Sequence, residues 1–68
     1  MAVKNTRFEI TSTGEEYKVP GEWTVETIVN QFSDQVPGIA NMDATREADE
    51  DGGETIVFTF SPRTGTKG

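Results

Sequence analysis

Two short alternating stretches lie near the start of the chain. In the first, RFEIT, Phe8 and Ile10 point to one side and their polar neighbours point to the other. This period of two is typical of a half-buried strand. In the second, Tyr17 and Val19 alternate with polar residues, and Gly14 between the two stretches can adopt the positive φ of a tight turn. The pattern predicts a β-hairpin that ends at the Pro-Gly pair following Val19.

The middle of the chain carries the pattern of an amphipathic helix. Its apolar residues recur at spacings of three, four and seven and predict one buried stripe, formed by Val25, Ile28, Val29, Phe32 and Val36. Thr24 is a suitable N-cap because its hydroxyl can accept a hydrogen bond from a free backbone N–H. Trp23 before it has the spacing of a hydrophobic staple with Ile28. Pro37 and Gly38 should end the helix near Gln35.

The last third predicts a second hairpin. A strand is expected from about Asn41 to Glu47, where Met42 and Ala44 share one face. The acidic segment ADEDGGE predicts a turn, since Asp51-Gly52 is a strong hairpin dipeptide. TIVFTF is the clearest strand. One face carries the apolar residues Ile56, Phe58 and Phe60, and the other carries Val57 and Thr59.

The resulting order, β-β-α-β-β, predicts an α+β fold in which one helix packs across one face of a mixed sheet. A right-handed crossover places the first and last strands side by side and parallel at the centre, which is the ubiquitin-like β-grasp. An antiparallel sheet with another strand order fits the same pattern. In either arrangement the expected core consists of Phe8, Ile10, Tyr17, Val19, Ile28, Val29, Phe32, Met42, Ile56, Phe58 and Phe60.

Composition narrows the functional classes. The 68 residues suffice for one domain, predicted over residues 1–61, followed by a flexible tail over 62–68. The chain lacks cysteine and histidine, and therefore lacks thiol chemistry, the commonest general base and the commonest zinc ligand. We therefore expect neither an enzyme nor a bound cofactor or metal. With no apolar segment resembling a membrane span or a secretory signal, the expected location is the cytoplasm.

The net charge of −6 bears on possible partners. Such a field repels phosphate backbones, so nucleic-acid binding is not expected. The charge could instead match a basic protein surface, or it could serve solubility alone. The acidic run from Glu47 to Asp51 resembles the start of a calcium loop, but Phe58 stands where the bidentate glutamate should be. The run is therefore interpreted as a solvated hairpin tip.

The last four residues, Gly65, Thr66, Lys67 and Gly68, form the candidate site. They carry no large apolar side chain. Such a strip could be a frayed terminus, as in most domains. Alternatively, it could enter a narrow channel of another protein, where a terminal glycine offers its carboxylate without an obstructing Cβ.

The segment GETIVFTFSPRTGTKG resembles the end of the PRTRC system protein C family, short bacterial proteins with a terminal YTF…GTKG pattern. The matching residues are Phe58-Thr59-Phe60 and Gly65-Thr66-Lys67-Gly68. The helix and the segment after it are also similar, with Thr24 at the position of the capping serine and with Pro37, Ile39 and Ala40 matching the residues after the helix. The opening hairpin is similar in its phenylalanine, glycine turn and proline.

This resemblance implies a function. The family belongs to gene cassettes of plasmids and other mobile elements that also encode ParB-related and ThiF-related proteins. ThiF-type enzymes adenylate the C-terminal glycines of ubiquitin-like proteins, so the resemblance implies a ubiquitin-like protein activated at Gly68. The alternative is a non-covalent acidic module that binds a basic partner such as the ParB-like protein. For the activated protein we expect the sheet face opposite the helix to be the partner surface. We expect the protein to be a monomer.

Overall fold

The computed structural model describes residues 2–63, which form a four-stranded mixed sheet and one α-helix. The elements are β1 (Asn5–Ile10), β2 (Glu15–Pro20), α1 (Val25–Phe32), β3 (Met42–Glu50) and β4 (Thr55–Pro62), with short 3-10 turns at Ile39–Asn41 and Asp51–Gly53. The strand order is β2-β1-β4-β3. β1 and β4 are parallel, whereas the β1–β2 and β3–β4 pairs are antiparallel. This is the predicted β-grasp arrangement, and the alternative strand order is wrong.

Helix α1 begins as the sequence predicts and ends earlier. The Thr24 hydroxyl accepts a hydrogen bond from the Thr27 backbone N–H at 3.2 Å and caps the helix. The helix ends at Phe32, not near Gln35. The Val36 N–H still donates to the Phe32 carbonyl at 2.8 Å, so one hydrogen-bonded turn follows the helix. Proline at position 37 offers no N–H to the Ser33 carbonyl and disfavours helical geometry in the residue before it, so the regular helix does not continue. The ring contact of Trp23 is with Phe32, 6.0 Å between centroids.

The core lies between α1 and one face of the sheet. Most of the predicted residues are buried there, and Val36 and Ile39 join them from the segment after the helix; the buried cluster is Phe8, Ile10, Ile28, Val36, Ile39, Ile56, Phe58 and Phe60. Four further predicted residues pack against this cluster while only partly buried, namely Tyr17, Val29, Phe32 and Met42. The prediction was wrong for Val19, which is half-buried and belongs neither to the cluster nor to the residues packed against it. Because the helix is short, the chain after it supplies part of the core.

The second hairpin has a longer third strand than predicted. β3 continues to Glu50, three residues past the expected end, and its register with β4 shifts between Glu47 and Glu50. The turn then places Asp51, Gly52 and Gly53 at positive φ values of 56°, 68° and 97°. Such a run of left-handed residues favours glycine, which explains the Gly-Gly pair. The bulge allows the acidic residues before the turn to remain within the strand.

Candidate functional site

The predicted tail residues Gly65, Thr66, Lys67 and Gly68 lie outside the described part of the chain, and their role stays a prediction. The structure does show the strand that leads to them. β4 lies between β1 and β3 and includes Pro62, the first residue of the predicted tail. Its end is tied to both neighbours: the Thr11 backbone N–H and hydroxyl donate to the Phe60 carbonyl at 2.9 and 3.2 Å, and Arg63 Nε donates to Asp43 Oδ1 at 3.2 Å. The chain therefore leaves the body from the centre of the sheet.

The predicted partner surface, opposite the helix, is strongly charged. Strand alternation and the pairing register give this face two cations, Arg7 and Lys18, and five carboxylates, namely Glu9, Glu16, Asp43, Glu47 and Glu50. Five negative and two positive charges leave a net charge of −3. Glu9 and Glu16 are direct register partners across β1 and β2. Like charges in directly opposite positions repel, so this part of the face favours a cationic neighbour.

Arg7 organises the middle of this open face. Its Nε and Nη2 donate to the two carboxylate oxygens of Glu50 at 3.2 and 2.9 Å, and Nη1 lies 3.2 Å from Glu16 Oε1. The hydrogen bond with Glu50 raises the pKa of Arg7, the charges of Glu50, Glu16 and Glu9 add to the increase, and partial burial opposes it. The guanidinium therefore stays charged wherever the fold exists and holds together strands that are not adjacent.

Val57 is an apolar residue on the open face, yet it is only 4% exposed. Its register partners are Arg7 on β1 and Glu47 on β3. Because Arg7 reaches from β1 to Glu50 on β3, its long side chain crosses the central strand β4 that carries Val57. The open face thus has a covered centre and a charged exterior, and it presents no apolar patch there.

An aromatic group joins the β1–β2 hairpin to α1. The Tyr17 ring stacks on Phe8 at 5.1 Å and meets Phe32 edge-on at 5.2 Å, and its hydroxyl donates to Glu15 Oε1 at 3.1 Å. Desolvation of this half-buried ring raises the pKa of Tyr17, and the hydrogen bond and charge of Glu15 raise it further. A raised pKa means that folding favours the protonated phenol.

The ionisation of Tyr17 can be followed alone because it is the only tyrosine. We expect its absorbance at about 295 nm to rise with a midpoint above the ordinary value of about 10. Folding stability from this group should be complete below about pH 10 and should decline as pH increases through the higher pKa of the folded chain. Glu15→Gln should lower the midpoint without restoring the ordinary value, since desolvation is the larger cause. A wild-type midpoint at or below that of the urea-unfolded chain would contradict this.

Within residues 2–63, no group of three or more acidic side chains is placed to hold a metal ion. None of the helices in this range has the length and apolar character needed to cross a bilayer.

Comparison of the chain with protein-family models, curated proteins and solved structures yields no match.

Two residues that organise the body received no role from the sequence. Thr6 is fully buried. Its hydroxyl accepts a hydrogen bond from the backbone N–H of Trp23 at 2.9 Å and donates one to the Gly21 carbonyl at 2.8 Å. Thr6 lies two positions before Phe8 in the same strand, so the alternation of side chains could have identified it as inward-facing. Arg7 faces outward as the alternation predicts, but its acidic partners come from other strands and follow only from the register.

Proposed function

We propose that this chain is a ubiquitin-like protein activated at the carboxylate of Gly68 by a ThiF-type adenylating enzyme. The observation that carries the proposal is the β-grasp sheet, in which β4 lies parallel to β1 at the centre and leads directly to the terminal segment. The likeness of Gly65-Thr66-Lys67-Gly68 to the GTKG ending of the PRTRC system protein C family supports it. The proposal requires that Gly68 carry the free carboxylate of the mature protein.

The proposed reaction takes place at the tail, at the carboxylate of Gly68. A carboxylate oxygen of Gly68 would attack the α-phosphate of ATP, forming an acyl-adenylate and releasing pyrophosphate. Glycine suits this step because no Cβ hinders the approach to the carboxylate. Gly65, Thr66 and Lys67 would form the strip that the enzyme recognises. The Gly68 acyl group would then pass from the adenylate to an acceptor nucleophile, with release of AMP. The folded body would serve as the part that the enzyme holds.

Pyrophosphate exchange tests the proposal. The full chain is incubated with the ThiF-like enzyme of its gene cassette, ATP and labelled pyrophosphate, and formation of labelled ATP is measured. We expect exchange with the intact chain and its loss on deletion of Gly68, since the carboxylate is then displaced and borne by a side-chain-bearing residue.

A matched control is Glu22→Gln, a change at an exposed residue between β2 and α1 that should leave exchange unaltered. Circular dichroism of each variant verifies that the body is folded. Absence of exchange with the intact chain, or equal exchange after Gly68 is removed, would refute the proposal.

The charge of the open sheet face favours a second function, non-covalent binding of a basic protein such as the ParB-like member of the cassette. The face carries five carboxylates against two cations, and among the described residues neither Glu9 nor Glu47 has a cation within ion-pair distance. Binding through exposed charges weakens with added salt, because screening acts over about 10 Å at 0.1 M. An affinity that does not change with salt would exclude this function.

A further inference from the structure

Strand β3 is an edge strand of the sheet. It pairs with β4 on one side, and no other strand of residues 2–63 lies on its outer side. Its register with β4 runs without interruption from Met42 to Glu47 before the bulge. A regular edge of this length presents backbone donors and acceptors that another strand can use.

The direction of the backbone groups follows from one hydrogen bond. The Thr11 N–H donates to the Phe60 carbonyl at 2.9 Å, so Phe60 directs its backbone groups toward β1. Successive residues of a strand direct these groups to opposite sides, so Thr59 directs its own toward β3. Its register partner Thr45 therefore exchanges both hydrogen bonds with β4.

The same alternation leaves every second residue of β3 directed outward. Ala44 is the register partner of Phe60, and it therefore turns its N–H and C=O away from β4. Met42 and Arg46 share its phase. These three alternate residues provide up to three backbone N–H donors and three carbonyl acceptors for an added strand.

The two faces beside this edge differ in chemistry. On the helix side, Met42 and Ala44 are half-buried against the core cluster. On the open side, Asp43 and Glu47 are exposed carboxylates. A strand laid along the edge would therefore place alternate side chains beside apolar atoms and beside negative charge.

We infer that the outer edge of β3 from Met42 to Glu47 binds an extended basic segment of another protein by strand addition. The segment alternates lysine or arginine with apolar residues: the cations lie beside Asp43 and Glu47, and the apolar side chains cover Met42 and Ala44. The inference rests on the second proposed function: the edge of β3 holds the backbone of the basic partner, and Asp43 and Glu47 of the open face hold its cations. It does not depend on activation of Gly68.

Charge argues for a basic partner and against a second copy of this chain. β3 contains four carboxylates and one guanidinium, a net charge of −3. Arg46 is held by Asp49 at 2.7 Å and Asp43 by Arg63 at 3.2 Å, whereas Glu47 has no such partner within residues 2–63. Two copies meeting at this edge would bring two such acidic strands together, and like charges near one another are destabilising.

The test uses a capped heptapeptide that alternates lysine and valine, titrated into the full ¹⁵N-labelled chain. We expect amide shifts and slowed hydrogen exchange at Met42, Ala44 and Arg46, and an affinity that falls as salt is added. A matched glutamate–valine peptide should bind at least about tenfold more weakly, since its charges repel Asp43 and Glu47. A lysine–valine peptide N-methylated at alternate amides should lose about tenfold or more because it cannot complete the ladder.

A protein variant gives a second test. Ala44→Pro removes the central outward N–H, which takes no part in the ladder with β4, and proline is tolerated at such edge positions. It should weaken peptide binding about tenfold while leaving pyrophosphate exchange intact. Because the N-methylated peptide tests the same bonds on the unaltered chain, the inference stays testable even where the variant fails to fold.

Four results would overturn the inference. They are shifts confined to β2 (Glu15–Pro20), equal binding of the N-methylated peptide, equal binding of the glutamate peptide, and amide shifts at β3 that depend on protein concentration in the absence of peptide. The last would indicate that a second copy occupies the edge. None of these results bears on adenylation, so the two proposals fail separately.

Discussion

Phe8→Ala should leave most of the chain unfolded at room temperature. Phe8 is fully buried at the centre of the core, and its ring centroid lies 5.1, 4.9 and 5.8 Å from those of Tyr17, Phe32 and Phe60. Truncating a buried phenylalanine to alanine costs about 3–5 kcal/mol. A domain of this size rarely has more than about 3–5 kcal/mol of stability. The loss therefore equals most or all of the free energy of unfolding.

Far-UV circular dichroism and urea unfolding measure this effect. The neighbouring change Glu9→Gln is the matched control, since Glu9 lies on the opposite face and directly faces Glu16. It should alter stability by less than about 0.5 kcal/mol or increase it slightly, because it removes a like-charge pair. A Phe8→Ala chain that unfolds cooperatively at nearly the wild-type urea concentration would show that the core does not depend on this ring.

Thr6→Val should lower the free energy of unfolding by about 1–3 kcal/mol although the side chain keeps its shape. The Thr6 hydroxyl accepts from the Trp23 N–H and donates to the Gly21 carbonyl, and so joins β1 to the segment that leads into α1. Valine can make neither bond, which leaves both backbone groups without this partner. The same change should disturb the fluorescence of Trp23, the only tryptophan.

Two variants separate the hydroxyl from general effects of substitution. Thr6→Ser retains the hydroxyl and should keep the native Trp23 emission. Thr45→Val makes the same substitution at an exposed strand position and should alter stability by less than about 0.5 kcal/mol. If Thr6→Val and Thr45→Val shift the urea midpoint equally, the two hydrogen bonds contribute nothing of their own.

Much of the fold could be predicted from local patterns. The alternation of Phe8 with Ile10, the helical spacing from Val25 to Phe32 and the cap at Thr24 each depend on residues a few positions apart. The rule of right-handed crossover then placed the first and last strands together, and the structure confirms that order. The helix end and the core residue Ile39 were less predictable, because they depend on how the chain after the helix returns to the sheet.

The candidate site also has features that local sequence predicts and features that depend on the tertiary structure. The sequence could propose Gly65–Gly68 as a reactive strip, because that proposal needs only the order of small residues and a family resemblance. It could also place Arg7 and Glu47 on one face, because side chains alternate along a strand. It could not pair Arg7 with Glu50, which lies 43 residues away. It could not show that Met42, Ala44 and Arg46 turn their backbone groups outward.

The difference has a physical cause. Steric preferences and side-chain periodicity act between neighbouring residues and therefore apply in any fold that the chain adopts. For this reason the strands, the helix and their inward faces could be inferred from the sequence. Register, ion pairs across strands and the free edge of β3 arise when segments far apart in sequence meet. One residue of slip in the β3–β4 pairing would place Met42 and Ala44 on the open face and turn the outward amides inward. These features depend on the packed sheet as a whole.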